Sequence, residues 1–276
     1  MPARKPVWQT ARRIDAHFHV RDAGSTSGFS HATGRLDRDD AEQSLQHAEK
    51  LGIDLLCTSY PLTSESPTPE EVRLANSVTL QAMEMSERFL GFCFLNPGYA
   101  RESLAEIERC IVDGGMVGIK LYHQYHICDP ALTPVMERAA ELRVPVLMHA
   151  GKGRDTETQT QQPRLSDASH FVRAAAMFPD TILIEAHIGG GGDWEWSLRH
   201  LEQRPPNLYV DSSGSVVDAG IVDRTVAAIG LDHVLFATDM SMEEGVGKVL
   251  DADLTEQQRE RIFAGNMKDI LARRRV

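Results

Sequence analysis

The sequence predicts an α/β fold consisting of one (β/α)8 TIM barrel with long βα loops. Eight apolar, β-branched runs fall near residues 12–20, 53–60, 89–96, 116–123, 144–150, 181–188, 207–213 and 233–239. Segments with helical spacing separate them, among them DRDDAEQSLQHAEKLG, PEEVRLANSVTLQAMEMSERF, ARESLAEIERCIVDGG and DPALTPVMERAAELRV, several opened by Asp or Pro. A strict βα repeat requires parallel strands with right-handed crossovers, and eight units suit the 276 residues as one closed barrel over 1–276. An open doubly wound sheet is the alternative.

Four of the strand-like runs end in residues that ligate metals: His17 and His19 in IDAHFHV, His149 in VPVLMHAG, His187 in ILIEAHIGG and Asp239 in VLFATDM. Alternate side chains of a strand share a face, so His17 and His19 point together. A His-x-His pair alone is weak, because buried histidines are often satisfied by a backbone carbonyl. Four histidines and an aspartate at strand ends call for one explanation, since barrel enzymes gather their chemistry at the C-terminal rim. Neutral imidazoles with a carboxylate form a mixed N/O shell suited to Zn, Mn, Fe or Ni.

Composition excludes other classes. The formal charge of −11 disfavours nonspecific nucleic-acid binding, which depends on basic surfaces. Basic residues near the N-terminus are followed by no apolar h-region, and no stretch approaches about 18 consecutive apolar residues, so the expectation is a cytoplasmic protein with no membrane partner. Cys57, Cys93, Cys110 and Cys128 are scattered without a Cys-x-x-Cys pair, as reduced core thiols would be.

In order and with helix-sized gaps, DAHFHV, GIKLYH, VPVLMHAG, IEAHIGG, LYVDSSG, LFATDM and IFAGNMKDIL span nearly the whole chain. The chain resembles the amidohydrolase superfamily, particularly its amidohydrolase-2 branch of compact metal-dependent barrels. The resemblance implies that His17, His19, His149 and Asp239 are metal ligands and that His187 is an acid/base residue or a second-metal ligand. It raises Lys120 as a carboxylated bridge between two ions, against a simple role as a point charge. The cofactor it implies is a divalent ion, zinc first, as one ion or two.

Around this centre, His123, Lys152 and Arg154 are read as substrate-binding residues, the last two as an anion clamp after His149. Asp22, His126, Asp211 and Ser213 are further polar residues of the rim. Residues 21–38 and 151–165 are read as long polar loops overhanging the mouth. The glycine run 189–192 lacks the spacing of a dinucleotide fingerprint and reads as a βα turn, and Trp194 and Trp196 read as packing residues. The leading function is hydrolysis of a small lactone, amide or ester, with Asp239 moving the proton and His187 stabilising developing charge. A decarboxylase or related lyase is the alternative, and a non-catalytic metal-binding barrel the third reading. The expected partner is a small-molecule substrate, and a homo-oligomer is left open.

Overall fold

The computed structural model describes residues 6–25, 28–153, 156–188, 191–203, 205–214 and 216–276. Its strands are β1 (Ile14–His19), β2 (Leu55–Ser59), β3 (Phe89–Phe94), β4 (Gly118–Leu121), β5 (Val146–Met148), β6 (Gly151–Lys152), β7 (Leu183–Glu185), β8 (Gly191–Gly192), β9 (Leu208–Asp211) and β10 (Val234–Leu235). All but β6 and β8 form one parallel eight-stranded sheet in sequence order, and each lies within a run that the sequence marks as a strand. Two backbone bonds close the seam between its first and last strands: Ala16 N–H to Phe236 O (2.9 Å) and Asp239 N–H to His17 O (2.8 Å). The chain is therefore a barrel, not an open sheet. The short β6 and β8 pair with each other in parallel outside it.

Helices form where caps and periodicity agree. Asp37 caps α1 (Arg38–Lys50), and Thr68 and Glu71 close a reciprocal capping box on α2 (Pro69–Met85), with Pro69 in the first turn. The segment read as a single helix over 100–115 divides into α3 (Ala100–Ile107) and a π-helical stretch over Glu108–Asp113. No helix of the described residues is long and apolar enough to cross a membrane. The four cysteines are buried free thiols.

Two apolar layers follow from the sheet. Ile14, Leu55, Phe92, Leu147, Ile184 and Leu235 fill the barrel, joined by Met267 and Ile270 of the C-terminal helix Asn266–Leu271. The opposite strand faces meet the surrounding helices. Alternation alone does not produce this arrangement in β1. Its register against β2 shifts between Asp15 and Phe18, three steps of β1 matching two of β2. This bulge lets Ile14 and Ala16 share the inner cluster and then turns His17 and His19 inward as well. A second correction occurs after β7. Ile184 and Ala186 face inward, so His187 would point out, but its φ of 69° lies in the left-handed region and brings it back to the rim.

Glu185, on the outer face of β7, is fully buried, and neither carboxyl oxygen has a hydrogen-bond partner among the described residues. Burial first, then the charges of Asp167 and Asp211, push its carboxyl well above the usual range, so it sits protonated. The unfolded chain sheds that proton above a pKa of about 4.3 while the folded chain keeps it, so stability falls as pH rises above that point. Glu185→Met is expected to stabilise the fold by about 1–3 kcal/mol at pH 5. The gain should widen as the pH rises above that, because the unfolded chain loses a proton that the folded chain holds. Urea melts at pH 5 and pH 7 test this; a pH-independent difference contradicts it.

Candidate metal centre

At the C-terminal rim, a hydrogen bond fixes which nitrogen of His17 carries the proton. Nδ1 of His17 lies 3.0 Å from Oδ2 of Asp211, and a carboxylate only accepts, so Nδ1 is the protonated atom. Nδ1 of His19 lies 3.2 Å from both the carbonyl oxygen and the hydroxyl of Ser59, so this ring can carry its proton on Nδ1, directed at the carbonyl, or on Nε2, directed at Asp239. The two Nε2 atoms face each other at 3.1 Å, and that of His17 accepts from Lys120, whose Nζ lies 2.6 Å away. Oδ1 of Asp239 joins them, 3.2 Å from His19 Nε2 and 3.7 Å from His17 Nε2. Three electron-rich atoms at one point favour positive charge among them, which the Lys120 ammonium beside His17 supplies in part and a divalent ion would supply in full.

The spacing agrees with that demand. Donors held at about 2.1 Å from a first-row divalent ion stand roughly 3.0–3.4 Å apart in octahedral or tetrahedral geometry. Nζ of Lys120, a fully buried residue, lies 2.6 Å from His17 Nε2 and enters the same cluster. Burial lowers its ammonium to about 8. Burial, reinforced by Lys120, takes His17 down to about 3, and burial lowers His19, His149 and His187 in turn. Neutral imidazoles are the protonation state that metal ligation requires.

Asp211, one of the polar residues noted at the rim, organises the shell behind these donors. Besides His17, it accepts the backbone N–H of His187 (2.9 Å) and both the N–H (3.0 Å) and hydroxyl (2.5 Å) of Ser213. Burial alone would raise its carboxyl, but His17, His187 and Ser213 hold it well below the ordinary range. With its own hydrogen directed at Asp211, the Ser213 hydroxyl accepts from Nδ1 of His187 at 2.9 Å. Gly214 completes the seat. Its φ is 94°, and a Cβ there would stand 3.0 Å from the Cβ of His187.

His187 turns its Nε2 toward Nδ1 of His149, 2.9 Å away. His149 stacks flat on Tyr122 with centroids 4.3 Å apart and faces the carboxamide of Gln162 at 3.2 Å. Two donor clusters converge within 4.8 Å: His17 with His19 and Asp239, and His17 with His187 and Asp211. His149 belongs to neither and stands beside them through His187. Both His149 and His187 line a cavity of about 280 Å³ with Asp239, Gln162, Thr158 and Ser241. Asp239 is about a third exposed to it (32%), and burial acting upward is outweighed by His17 and His19, which hold its carboxyl well below the usual range.

Other residues singled out by the sequence lie elsewhere. Lys152 donates to Asp167 at 2.8 Å and lies 3.8 Å from the Trp196 ring centre, so it is already paired. Arg154 lies outside the described residues, as do Gly189 and Gly190. His123 is buried beside the Tyr122 ring and does not line the cavity. His126 stacks on His170 with centroids 4.3 Å apart. Asp22 is structural: it accepts backbone N–H groups of Gly24, Thr33 and Gly34 and shapes the loop that brings Phe29 to 5.2 Å from the His19 ring. Sequence reading missed Asp15, Ser59 and Gln162. Only Asp15 carried a signal, a polar residue inside a strand two places before the first ligand.

The amidohydrolase family profile matches residues 14–272. The chain belongs to the amidohydrolase family. A curated relative of this amidohydrolase, 2-keto-4-carboxy-3-hexenedioate hydratase from Sphingobium sp., is 26% identical over 227 residues, covering 68% of this chain and 67% of its own. Among solved structures, a dihydroxybenzoic acid decarboxylase from Polaromonas sp. with bound manganese superposes with a TM-score of 0.70 at 18% identity, over 95% of this chain and 97% of that one. The 4-oxalomesaconate hydratase of Rhodopseudomonas palustris gives a TM-score of 0.70 at 17% identity, over 95% and 96%. These two structures share the amidohydrolase's barrel fold.

Removing the Asp211 charge tests the shell behind the donors. Asp211→Asn is expected to weaken divalent-ion binding about 10- to 100-fold, read by equilibrium dialysis against Mn²⁺ or Zn²⁺. Unchanged affinity would separate Asp211 from the centre.

Proposed function

We propose that this amidohydrolase is a metal-dependent enzyme acting on a small carbonyl or carboxylate compound. The observation that carries the reading is the convergence of Nε2 of His17, Nε2 of His19 and Oδ1 of Asp239 on one point, with His17 oriented from its far side by Asp211. His17, His19 and Asp239 would hold a divalent ion, with Lys120 beside it. His149 would join them as a ligand by exchanging its Gln162 contact. The N/O donor set suits zinc and manganese alike.

A divalent ion in this position supplies Lewis acidity, polarising a substrate oxygen and bringing water toward ionisation near neutral pH. Asp239, open to the cavity, takes a proton from the attacking water and returns it to the leaving group. His187, with Nδ1 fixed by Ser213, presents a lone pair on the His149 side and serves as the second acid/base or stabilising group. In the hydrolytic reading these groups open a lactone, amide or ester. A second reading, decarboxylation or hydration of a small carboxylic acid, uses the same groups to move a proton to or from carbon, and the names of the relatives favour it.

Substrate panels of lactones, esters, hydroxybenzoates and unsaturated keto acids, assayed with Mn²⁺ or Zn²⁺, separate the two by product: CO2 release or water gained across a double bond for the lyase, bond cleavage with gain of water for the hydrolase. In either case Asp239→Asn is expected to lower kcat about 10²- to 10⁴-fold. Wild-type turnover in that variant, or turnover undiminished by exhaustive chelation, contradicts the proposal.

A further inference from the structure

The seam between β1 and β10 is where the metal donors meet, His17 and His19 on one side and Asp239 on the other, and only two backbone hydrogen bonds cross it among the described residues. Asp15 lies at that crossing and is completely buried. Its Oδ1 accepts the backbone N–H of His17 (3.0 Å) and that of Thr238 (3.0 Å), and its Oδ2 meets the Thr238 hydroxyl. The β1 bulge explains the first bond: the extra residue takes the His17 N–H out of the strand ladder, and a buried N–H needs another acceptor. The second and third fix the residue just before Asp239, whose own φ of 46° is left-handed and costs about 1–2 kcal/mol.

We propose that Asp15 is a positioning residue of the metal centre, a clasp that sets the separation of His17 and His19 from Asp239. It touches neither the cavity nor any of the converging donor atoms, and works through the backbone of the residues that carry them. Metal donors have to be held within about 0.5 Å of their working positions, and two backbone bonds across a parallel seam leave more freedom than that. One buried carboxyl bonded to both strands removes it. The role is geometric, so the isosteric amide should fill it: in Asp15→Asn the carboxamide oxygen can take both N–H groups while the NH2 donates to the Thr238 hydroxyl.

The inference rests on the reading of His17, His19 and Asp239 as an ion site, and the test distinguishes the two claims. Co²⁺ is titrated into wild type, Asp15→Ala, Asp15→Asn and Thr238→Val, reading affinity by equilibrium dialysis and geometry by the visible absorption of the ion, with melting temperatures alongside. Wild type should bind tightly, Asp15→Ala should bind about 10- to 100-fold more weakly with an altered spectrum, and Asp15→Asn should recover most of both. Thr238→Val, which removes one bond and keeps the carboxyl, should weaken binding about three- to tenfold and decides the matter if Asp15→Ala does not fold. An Asp15→Ala protein that melts lower yet binds Co²⁺ with wild-type affinity and spectrum overturns the clasp, as does Thr238→Val binding like wild type, or Asp15→Asn as weak as Asp15→Ala. Wild type that binds no ion overturns the ion site itself, and the clasp with it.

Discussion

The hydrogen bond between the Asp211 carboxylate and Nδ1 of His17 decides what the rest of the rim can do. It holds the ring hydrogen on the far side from the other donors and leaves Nε2 as a buried lone pair. Ser59 seats the ring of His19 through its carbonyl and hydroxyl oxygens. Burial keeps both rings neutral, so the pair is close and uncharged, the state in which imidazoles ligate a metal ion. Through Ser213 the same carboxylate also orients His187, so one residue governs an expected ligand and an expected acid/base group together.

This assembly departs from regular backbone at three of the strand ends it recruits, those of β1, β7 and β10. A bulge turns His17 and His19 into the barrel, and left-handed φ values at His187 and Asp239 aim those side chains at the same point. Such conformations persist when the surroundings overdetermine them. Asp15, Asp211 and the close approach of Gly214 to His187 are the local features that do so. Glu185 shows the opposite arrangement on the outer face of β7, a buried carboxyl with no hydrogen-bond partner among the described residues.

Much of this was legible in the sequence. Eight strands, their parallel order and the location of His17, His19, Lys120, His187 and Asp239 at one rim follow from apolar, β-branched runs alternating with helix-sized segments, because strand ends in a βα repeat converge by topology alone. What the pattern could not carry is anything that breaks it. A bulge in IDAHFH leaves the same letters as a regular strand, and an acceptor such as the Ser59 carbonyl belongs to the backbone of another segment. The pairing of Lys152 with Asp167 was hidden for a related reason: 15 positions separate them, and only the folded loop after β5 brings them to 2.8 Å. His123, read as a rim residue from its place after β4, is buried beside Tyr122 and is not among the residues lining the cavity.

The central claim is that His17 and His19 form part of one ion site, and elemental analysis of purified protein tests it most directly when repeated on a His17→Ala/His19→Ala variant. The account predicts about one divalent ion per chain in the wild type after reconstitution and loss of that ion in the variant, while both proteins remain folded by circular dichroism. About two ions, both lost, would extend the site to Lys120 as a bridge. An ion retained at full occupancy in the double variant, or no ion bound by the wild type at all, would contradict it.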